Sequence, residues 1–348
     1  MYSITLVLIA RNEAASIGRC LGSVRPWVDH LLVLDTGSSD DTVQLALEAG
    51  AQVAHFTWVD DFAAARNHAL NLANTDWNLV LDADEWVCDG GSELAALRKV
   101  RPDFVGSIRI DSDFNVNGRE ASASSWISRV LPRAVRYRGR IHEQPEHGLG
   151  VRRLAVHVGH SGYSPQALGA KQGRNAAMLE RALLETPSDG YLLYQLGKDH
   201  SVYQRFEAAA VCFAQAVQTL APESSVMHDL LLRWLFALKK CGEHEQAVHL
   251  AELNMARWEG SPDYWFAVGD LLLDFACEQP ERSETLLPMI EASWQRCLAI
   301  GERTDLEGAV IGRGSYLAAT NLAVLYEGCE RADEAKHYRD MAKNLLTR

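Results

Sequence analysis

The sequence predicts two domains of different fold class, an α/β domain with a parallel sheet followed by an all-helical domain. Its length of 348 residues suits two domains of ordinary size. Up to about residue 160, short β-rich runs alternate with stretches of helical spacing. From about residue 165, helical periodicity continues to the C-terminus. We therefore expect the two domains at residues 1–164 and 165–348.

The α/β prediction depends on four short apolar runs that read as strands. They lie at residues 4–10, 30–34, 51–56 and 77–81. Helical spacing begins after Asn12 and recurs over residues 42–49 and 61–73, and further strands are expected at 105–114 and 154–160. This rhythm is typical of βαβ units, whose sheets bind ligands at the carboxyl ends of the strands. We therefore expect a site at the polar clusters that follow the second and fourth runs.

Composition and charge argue against several classes of protein. Lysine and arginine number 34 against 46 acidic residues, and this net charge of −12 is unlike that of a general nucleic-acid binder. The apolar run at residues 4–10 is too short to span a membrane and lacks a basic leader, so we expect a cytoplasmic protein without a transmembrane segment. Seven scattered cysteines without a CxxC pair indicate reduced thiols, and not a disulfide framework or a zinc site.

The helical half contains a spacing that recurs. Gly197 and Ala209 lie 12 residues apart, as do Ala323 and Ala335, and aromatic residues stand near both pairs. This pattern resembles the helical hairpin of tetratricopeptide (TPR) repeats. Weaker matches occur at residues 230–253 and 264–300, and the period is irregular. We therefore expect an array of degenerate helical hairpins, with a plain helical bundle as the alternative.

Asp82 and Asp84 carry the clearest chemical signal. They are separated by one residue and come directly after the predicted strand at residues 77–81. Two carboxylates placed in this way can reach one hard divalent cation, because Mg²⁺ and Mn²⁺ take oxygen ligands and bridge protein carboxylates to substrate phosphates. A solvated turn is the alternative for such a triplet, but the preceding buried run favours a metal site.

Four motifs follow one another over the first 85 residues. They read IARNE at 9–13, LDTGSSDDT at 34–42, FTWVDDFAAARN at 56–67 and LDADE at 81–85. In this order they resemble the family 2 glycosyltransferases, which have the nucleotide-sugar-binding fold called GT-A. The third motif, with helical repeats behind it, resembles a bacterial subgroup that includes sublancin-type peptide S-glycosyltransferases and relatives of lipopolysaccharide-core transferases. The resemblance implies a Rossmann-like GT-A domain followed by a TPR-like helical domain.

The resemblance also implies a donor site. Ala10 and Asn12 match the edge of the first strand that lines the nucleoside pocket, and Asp35 matches the aspartate that contacts the base, which is uracil in many members. Arg66 matches a basic residue near the base or the diphosphate. For Asp35 the alternative is a simple turn residue, because Asp-Thr-Gly-Ser is good turn chemistry by itself. For Arg66 the alternative is a surface ion pair.

The metal site follows from the same resemblance. Asp82 matches the aspartate that reaches the ribose and the water shell of the metal, and Asp84 matches the direct ligand of Mn²⁺ or Mg²⁺. A late histidine often completes the coordination in this family, and His160 is the candidate, with His157 as the second choice. A core or capping role is the alternative for His160.

A catalytic base is expected on the acceptor side. Inversion at the anomeric carbon needs one carboxylate to take a proton from the incoming nucleophile. Residues 140–144 read RIHEQ and resemble a segment of the repeat-bearing subgroup, which makes Glu143 the candidate. Asp111 and Asp113 are competitors. The alternative for Glu143 is an ion pair with a nearby arginine.

One segment is basic in an otherwise acidic chain. Residues 119–153 contain eight arginines against three glutamates. Arginine forks match phosphates and carboxylates, so this segment could hold the donor diphosphate or an anionic acceptor. Ion pairs with the acidic helical domain are the alternative.

These expectations together predict a metal-dependent, inverting glycosyltransferase. Its donor would be a nucleoside-diphosphate sugar, with uracil as the expected base, and its acceptor a peptide, a protein or an anionic cell-envelope glycan. The helical domain would shape the acceptor cleft, bind a protein partner or self-associate. Two other readings stay open: a non-catalytic nucleotide-sugar-binding or TPR scaffold, and a nucleotidyltransferase. The latter is disfavoured because residues 10–13 lack a glycine-rich phosphate loop.

Overall fold

The computed structural model describes residues 1–116, 119–160 and 173–346. The chain divides into two compact units, Met1–Met178 and Leu179–Arg348. The boundary expected between residues 164 and 165 lies outside the described residues, and so it stays a prediction.

A mixed sheet forms the centre of the first unit. Its strands are β1 (Ile4–Ala10), β2 (His30–Asp35), β3 (Gln52–His55), β4 (Trp77–Val80), β5 (Glu85–Asp89), β6 (Phe104–Val116), β7 (Arg119–Pro132) and β10 (Gly150–His160). Their spatial order is β3-β2-β1-β4-β7-β6-β10-β5. A separate hairpin joins β8 (Arg136–Arg138) to β9 (Gln144–Glu146).

The first half of this sheet is parallel, as the apolar runs predict. β1 pairs in parallel with both β2 and β4, and β2 pairs in parallel with β3. β7 then runs antiparallel to β4 and β6. The sequence did not reveal β7, because serine and alanine dominate its first half and no continuous apolar run marks it.

Helices cover both faces of the parallel part. They are α1 (Ile17–Val24), α2 (Thr42–Glu48), α3 (Phe62–Ala73) and α4 (Gly91–Ala96), followed by a 3₁₀ turn at Leu97–Lys99. Asp61 caps α3, since its side chain accepts a hydrogen bond from the Ala64 N–H at 2.8 Å. The helix ends at Asn74 in the left-handed conformation, with φ 49°. The helix expected at residues 61–73 is thus confirmed to within one residue.

Alternation along β1 explains the two core layers. Ile4, Leu6 and Leu8 pack into a cluster that includes α1, whereas Val7 packs into a second cluster that includes α3. Successive side chains of a strand point to opposite faces, so a strand covered on both sides is apolar along most of its length; in β1 the exception is the buried Thr5. A continuous apolar run is therefore what this strand requires.

The second unit is built from helices in sequence. Helix α5 (Arg174–Glu185) spans the boundary between the units and is followed by α6 (Gly190–Val202), α7 (Phe206–Thr219), α8 (Met227–Lys240), α9 (His244–Trp258), α10 (Pro262–Glu278), α11 (Ser283–Ile300), α12 (Tyr316–Gly328) and α13 (Ala332–Leu346). A 3₁₀ turn lies at Pro280–Arg282 and a two-residue strand, β11, at Ala309–Val310. Each described helix is too short or too polar to cross a membrane.

Small residues let the paired helices approach closely. Gly197 of α6 faces Phe213 of α7, and a Cβ at this glycine would lie 2.5 Å from the ring. Gly269 of α10 faces Trp294 of α11 in the same way, again at 2.5 Å. Consecutive helices pack as the pairs α6/α7, α8/α9, α10/α11 and α12/α13. The expected array of helical hairpins is therefore confirmed.

Candidate active site

The carboxyl ends of β1, β2 and β4 form the edge at which the motif residues meet. Ala10 is the last residue of β1 and lies opposite Asp35, the last residue of β2. The Ala10 carbonyl accepts hydrogen bonds from the Thr36 N–H at 2.9 Å and from its hydroxyl at 3.2 Å. The two strands therefore place Ala10 and Asp35 next to each other at this edge of the sheet.

Asp35 is a buried carboxylate held by its own turn. It accepts hydrogen bonds from the N–H groups of Gly37 and Ser38, both at 3.1 Å, and the Nδ1 atom of His55 lies 3.4 Å away. Burial acts to raise the pKa of Asp35, but these hydrogen bonds outweigh it and hold the pKa below its usual value. The structure therefore confirms that Asp35 stabilises its own turn.

Asn12 ties the first loop to the second. It lies in the left-handed conformation, with φ 57°, which asparagine tolerates better than most residues. Its side-chain oxygen accepts from the Ser39 N–H at 2.8 Å, and its own N–H donates to the Ser38 hydroxyl at 3.0 Å. Asn12, Ala10 and Asp35 thus lie together, as expected of residues that line one pocket.

Asp82 is held between two arginines. Its Oδ1 accepts from Nη2 of Arg66 at 2.6 Å, and its Oδ2 accepts from Nη2 of Arg129 at 2.7 Å. Burial acts to raise the pKa of Asp82, but the charges of Arg129 and Arg66 hold it well below the usual range. The carboxylate is nevertheless 38% exposed, so it faces the site.

Glu85 contacts both Arg129 and Asp82. Its Oε1 accepts from Nη2 of Arg129 at 2.8 Å, and its Oε2 accepts from the Asp82 N–H at 2.8 Å. The side chain is only 4% exposed. Burial raises the pKa of Glu85, the charge of Arg129 opposes that shift, and the charge of Asp82 adds to it, with a net upward result. Glu85 therefore acts on the site through its neighbours.

Arg66 joins the Asp82 and Glu143 carboxylates. Its Nε donates to Oε1 of Glu143, while its Nη2 donates to Asp82. The arginine side chain is 7% exposed, and the two carboxylates raise its pKa although burial acts to lower it. Arg66 is thus a buried residue that bridges two site carboxylates, and not a surface ion pair.

The loop that carries Glu143 has an unusual backbone. Gly139 and His142 both have positive φ, of 97° and 50°, and a non-glycine residue in this region marks a constrained backbone. The Arg140 carbonyl accepts from the Phe62 N–H at 2.8 Å, which ties the loop to the start of α3. The fold therefore fixes the position of Glu143 beside Arg66.

Asp84 and His160 lie next to each other. Nε2 of His160 lies 3.3 Å from Oδ2 of Asp84, and both side chains are about one-fifth exposed. Burial acts to lower the pKa of His160, but the hydrogen bond to Asp84 and nearby carboxylates raise it above its usual value. The structure thus pairs Asp84 with His160, and not with His157, as the resemblance leads us to expect.

The Asp84–His160 pair fits a divalent cation only in part. Ligands at neighbouring vertices of an octahedral cation lie about 3 Å apart when each metal–ligand distance is about 2.1 Å, and the observed 3.3 Å is close to this. Within the described residues no group of three histidine, cysteine or acidic side chains could hold a metal. The protein therefore offers two donors, and substrate phosphates and water would have to supply the others.

The competing carboxylates of β6 are placed differently. Asp111 accepts from Nε of Arg109 at 2.7 Å and from the Ser124 hydroxyl at 2.6 Å. The side chain of Asp113 lies outside the described residues. Among the contacts of the described side chains, none joins Asp111 to Arg66 or Asp82, whereas Glu143 contacts Arg66 directly.

The basic segment divides into bound and stacked arginines. Arg136 donates to the Asn71 side chain at 2.6 Å, and Arg138 pairs with Glu146 at 3.2 Å. Arg152 and Arg153 lie over the rings of Phe104 and Trp126. Among the arginines of this segment whose side chains the structure describes, Arg129 is the one that contacts Asp82. The sequence places it in a basic stretch but gives no signal that separates it from its neighbours, and Glu85 was visible only as the end of the LDADE motif.

Comparisons with known proteins agree with this geometry. Residues 5–154 match the family model described as "Glycosyl transferase family 2". A TPR repeat-containing protein of Synechococcus elongatus is 32% identical over 269 residues, which cover 71% of this chain and 64% of that protein. The SPbeta prophage-derived glycosyltransferase SunS of Bacillus subtilis is 27% identical over 220 residues, which cover 60% of this chain and 51% of SunS. The chain thus spans one-half to two-thirds of the length of these relatives.

One solved structure shares part of the sequence. It is glucosyl-3-phosphoglycerate synthase from Mycobacterium tuberculosis in complex with Mn²⁺, uridine diphosphate and glucosyl-3-phosphoglycerate. The identity is 26%, the coverage 34% of this chain and 46% of that chain, and the TM-score 0.26. At this TM-score we draw no conclusion from the likeness.

Proposed function

We propose that this chain, whose N-terminal domain belongs to glycosyl transferase family 2, is a metal-dependent inverting glycosyltransferase that uses a nucleoside-diphosphate sugar. One observation carries the proposal. A glycosyltransferase domain brings Asp35, Arg66, Asp82, Asp84 and Glu143 to one edge of its sheet, although they are far apart in sequence. Ligands of open α/β sheets bind at this edge.

The nucleoside lies against the ends of β1 and β2. Asp35 accepts a hydrogen bond from a ring N–H of the base, and Ala10 and Asn12 form the wall beside it. Uracil is the expected base, because it presents one ring N–H to a carboxylate acceptor. The partly exposed Asp82 carboxylate faces the ribose, and the ion pair with buried Arg66 fixes the orientation of this carboxylate.

Asp84 and His160 would hold the divalent cation. Their separation of 3.3 Å suits two neighbouring ligands of Mn²⁺, for which imidazole is a suitable donor. When bound, this ion would neutralise the charge that develops on the leaving diphosphate. The remaining positions are left for diphosphate oxygens and water.

Glu143 takes the proton of the acceptor. The acceptor nucleophile forms a bond to the anomeric carbon of the sugar, and the bond from that carbon to the diphosphate oxygen breaks. The proton passes to Glu143 and the electron pair leaves with the nucleoside diphosphate. Arg66 orients the Glu143 carboxylate through the hydrogen bond from its Nε.

The acceptor is a peptide, a protein or an anionic cell-envelope glycan. The helical hairpins support a polypeptide acceptor or partner, because such arrays offer extended surfaces. Exposed arginines such as Arg138, whose side chain is 80% exposed, support an anionic glycan. Seven free cysteines suit a reducing compartment, so we place the reaction in the cytoplasm.

Thermal shifts against a panel of nucleoside diphosphates and nucleotide-sugars, with and without Mn²⁺, test the proposal. Ligands that bind only the folded state raise the melting temperature by mass action. We expect stabilisation by one nucleotide family, enhanced by Mn²⁺ in the wild-type chain and not in Asp84→Ala. No shift with any nucleotide would favour the scaffold. Release of pyrophosphate from a nucleoside triphosphate would instead indicate a nucleotidyltransferase.

A further inference from the structure

Arg129 stands at an irregularity of the sheet. The antiparallel ladder pairs Gly106 with Val130 and Ser107 with Ser128, which leaves Arg129 as an extra residue on β7. A bulge of this kind bends the strand and re-aims a side chain, and bulges are common beside active sites. The guanidinium of this bulge residue reaches Asp82, 47 positions earlier in the chain.

Arg129 and Glu85 together fix both ends of Asp82. One nitrogen of Arg129, Nη2, donates to Oδ2 of Asp82 at 2.7 Å and to Oε1 of Glu85 at 2.8 Å. The second oxygen of Glu85 accepts the backbone N–H of Asp82 at 2.8 Å. The carboxylate and the main chain of Asp82 are therefore held by one closed set of hydrogen bonds.

Stability alone does not explain this arrangement. Arg129 is 9% exposed and Glu85 4%, and replacing such a buried ion pair by apolar residues is often neutral or stabilising. The buried Nε of Arg129 has no hydrogen-bond partner within the described part of the chain, and an unsatisfied buried donor costs free energy. The cluster is therefore better explained by the way it holds the Asp82 carboxylate in place.

Asp82 keeps room for a ligand. Its side chain is 38% exposed, although Arg66 and Arg129 each occupy one of its oxygens. A carboxylate has about four lone-pair directions, so each oxygen can accept a further hydrogen bond. Two neighbouring hydroxyl groups of a ligand can each donate a hydrogen bond to one of the two fixed Asp82 oxygens.

We propose that Arg129 is a positioning residue that fixes the Asp82 carboxylate to accept the ribose hydroxyls of a nucleoside diphosphate. This inference rests on the proposed function and extends it, because it names the residue that makes the site select ribose. Arg129 acts through Asp82 and does not touch the substrate.

The test compares UDP with 2′,3′-dideoxy-UDP by isothermal titration calorimetry without added metal. Glu85→Gln/Arg129→Met removes both members of the buried pair together, so that neither charge is left unpaired. Arg129→Lys keeps the charge but loses the planar fork. Arg98→Met is the matched control, since Arg98 pairs with Asp29 at 3.0 Å near the start of β1, at the other end of the strand.

We expect the wild-type chain to favour UDP by roughly tenfold or more, since hydrogen bonds to a charged group contribute this much. The double variant should bind UDP as weakly as the dideoxy analogue, and its affinity for the analogue should change less than about twofold. Arg129→Lys should retain an intermediate preference. Arg98→Met should keep the full preference.

Other outcomes overturn the inference in distinguishable ways. Equal weakening of both nucleotides would mean that Arg129 only supports the fold, and an unchanged preference would mean that Asp82 does not depend on it. Melting curves of each variant show whether the chain is folded, and Arg129→Lys serves if the double variant is not. Failure of the wild-type chain to bind either nucleotide, both without metal and with added Mn²⁺, would contradict the uridine donor of the proposed function.

Discussion

Asp82 and Asp84 come from one loop, yet the fold treats them differently. Asp82 accepts hydrogen bonds from two buried arginines, and Glu85 holds its main chain. Asp84 has His160 as its neighbour, at 3.3 Å. Two carboxylates one residue apart thus have different partners: arginines fix one of them, and a histidine lies beside the other. The difference comes from which strands each carboxylate meets.

Removal of Asp84 should have the largest effect on turnover. For Asp84→Ala we expect kcat to fall by roughly 1,000-fold, because the cation loses its carboxylate ligand and the leaving diphosphate is no longer neutralised. The melting temperature should change little, since no buried arginine depends on Asp84. Steady-state kinetics over a Mn²⁺ titration measure this. Full activity of the variant would contradict the metal assignment.

Glu143→Gln should separate catalysis from donor binding. We expect kcat to fall by roughly 100-fold, the usual scale for loss of a general base, while the Kd for the donor nucleotide stays within about threefold. Single-turnover rates and calorimetric Kd values measure the two effects. If donor binding weakens and the single-turnover rate does not, Glu143 supports Arg66 and is not the base.

Asp82→Ala should show the opposite signature from Asp84→Ala. It leaves Arg66 and Arg129 without their shared acceptor, although Glu143 and Glu85 still partner them. Breaking a buried pair costs about 3–5 kcal/mol, which we reduce to about 2 kcal/mol because Asp82 is 38% exposed. Urea denaturation of both variants measures the difference. Equal free energies of unfolding for Asp82→Ala and Asp84→Ala would contradict the conclusion that only Asp82 is tied to buried arginines.

The smallest effect concerns His160 and pH. Its pKa is raised in the folded protein, mainly by Asp84 acting against burial. The pair therefore stabilises the fold below the ordinary histidine pKa of about 6.5, and this contribution is lost as pH rises through the folded pKa. We expect the stability difference between wild type and His160→Gln to shrink as pH rises above about 6.5. A difference that is flat from pH 5 to 9 would contradict this pairing.

Much of the fold could be predicted because its signals are local. The continuous apolar run of β1 is what a strand buried on both faces requires, and the spacing of Ile17, Cys20, Leu21 and Val24 matches the buried face of α1. The Asp35 turn is local as well, since the N–H groups of Gly37 and Ser38 donate to the Asp35 carboxylate. The sequence did not predict β7 because serine and alanine dominate its first half and no continuous apolar run marks it.

The sequence by itself determined the parallel half of the sheet, the helical hairpins and the motif residues at the strand ends. Periodicity, caps and turn chemistry act over a few residues, so they can be read without the fold. Only the tertiary structure decided what those residues contact. Arg66 meets Glu143 across 77 positions, through a loop tied to the start of α3. Arg129 meets Asp82 across 47 positions, and that contact depends on strand order and on one bulge. A side chain that reaches a partner through register cannot be assigned before the register is known.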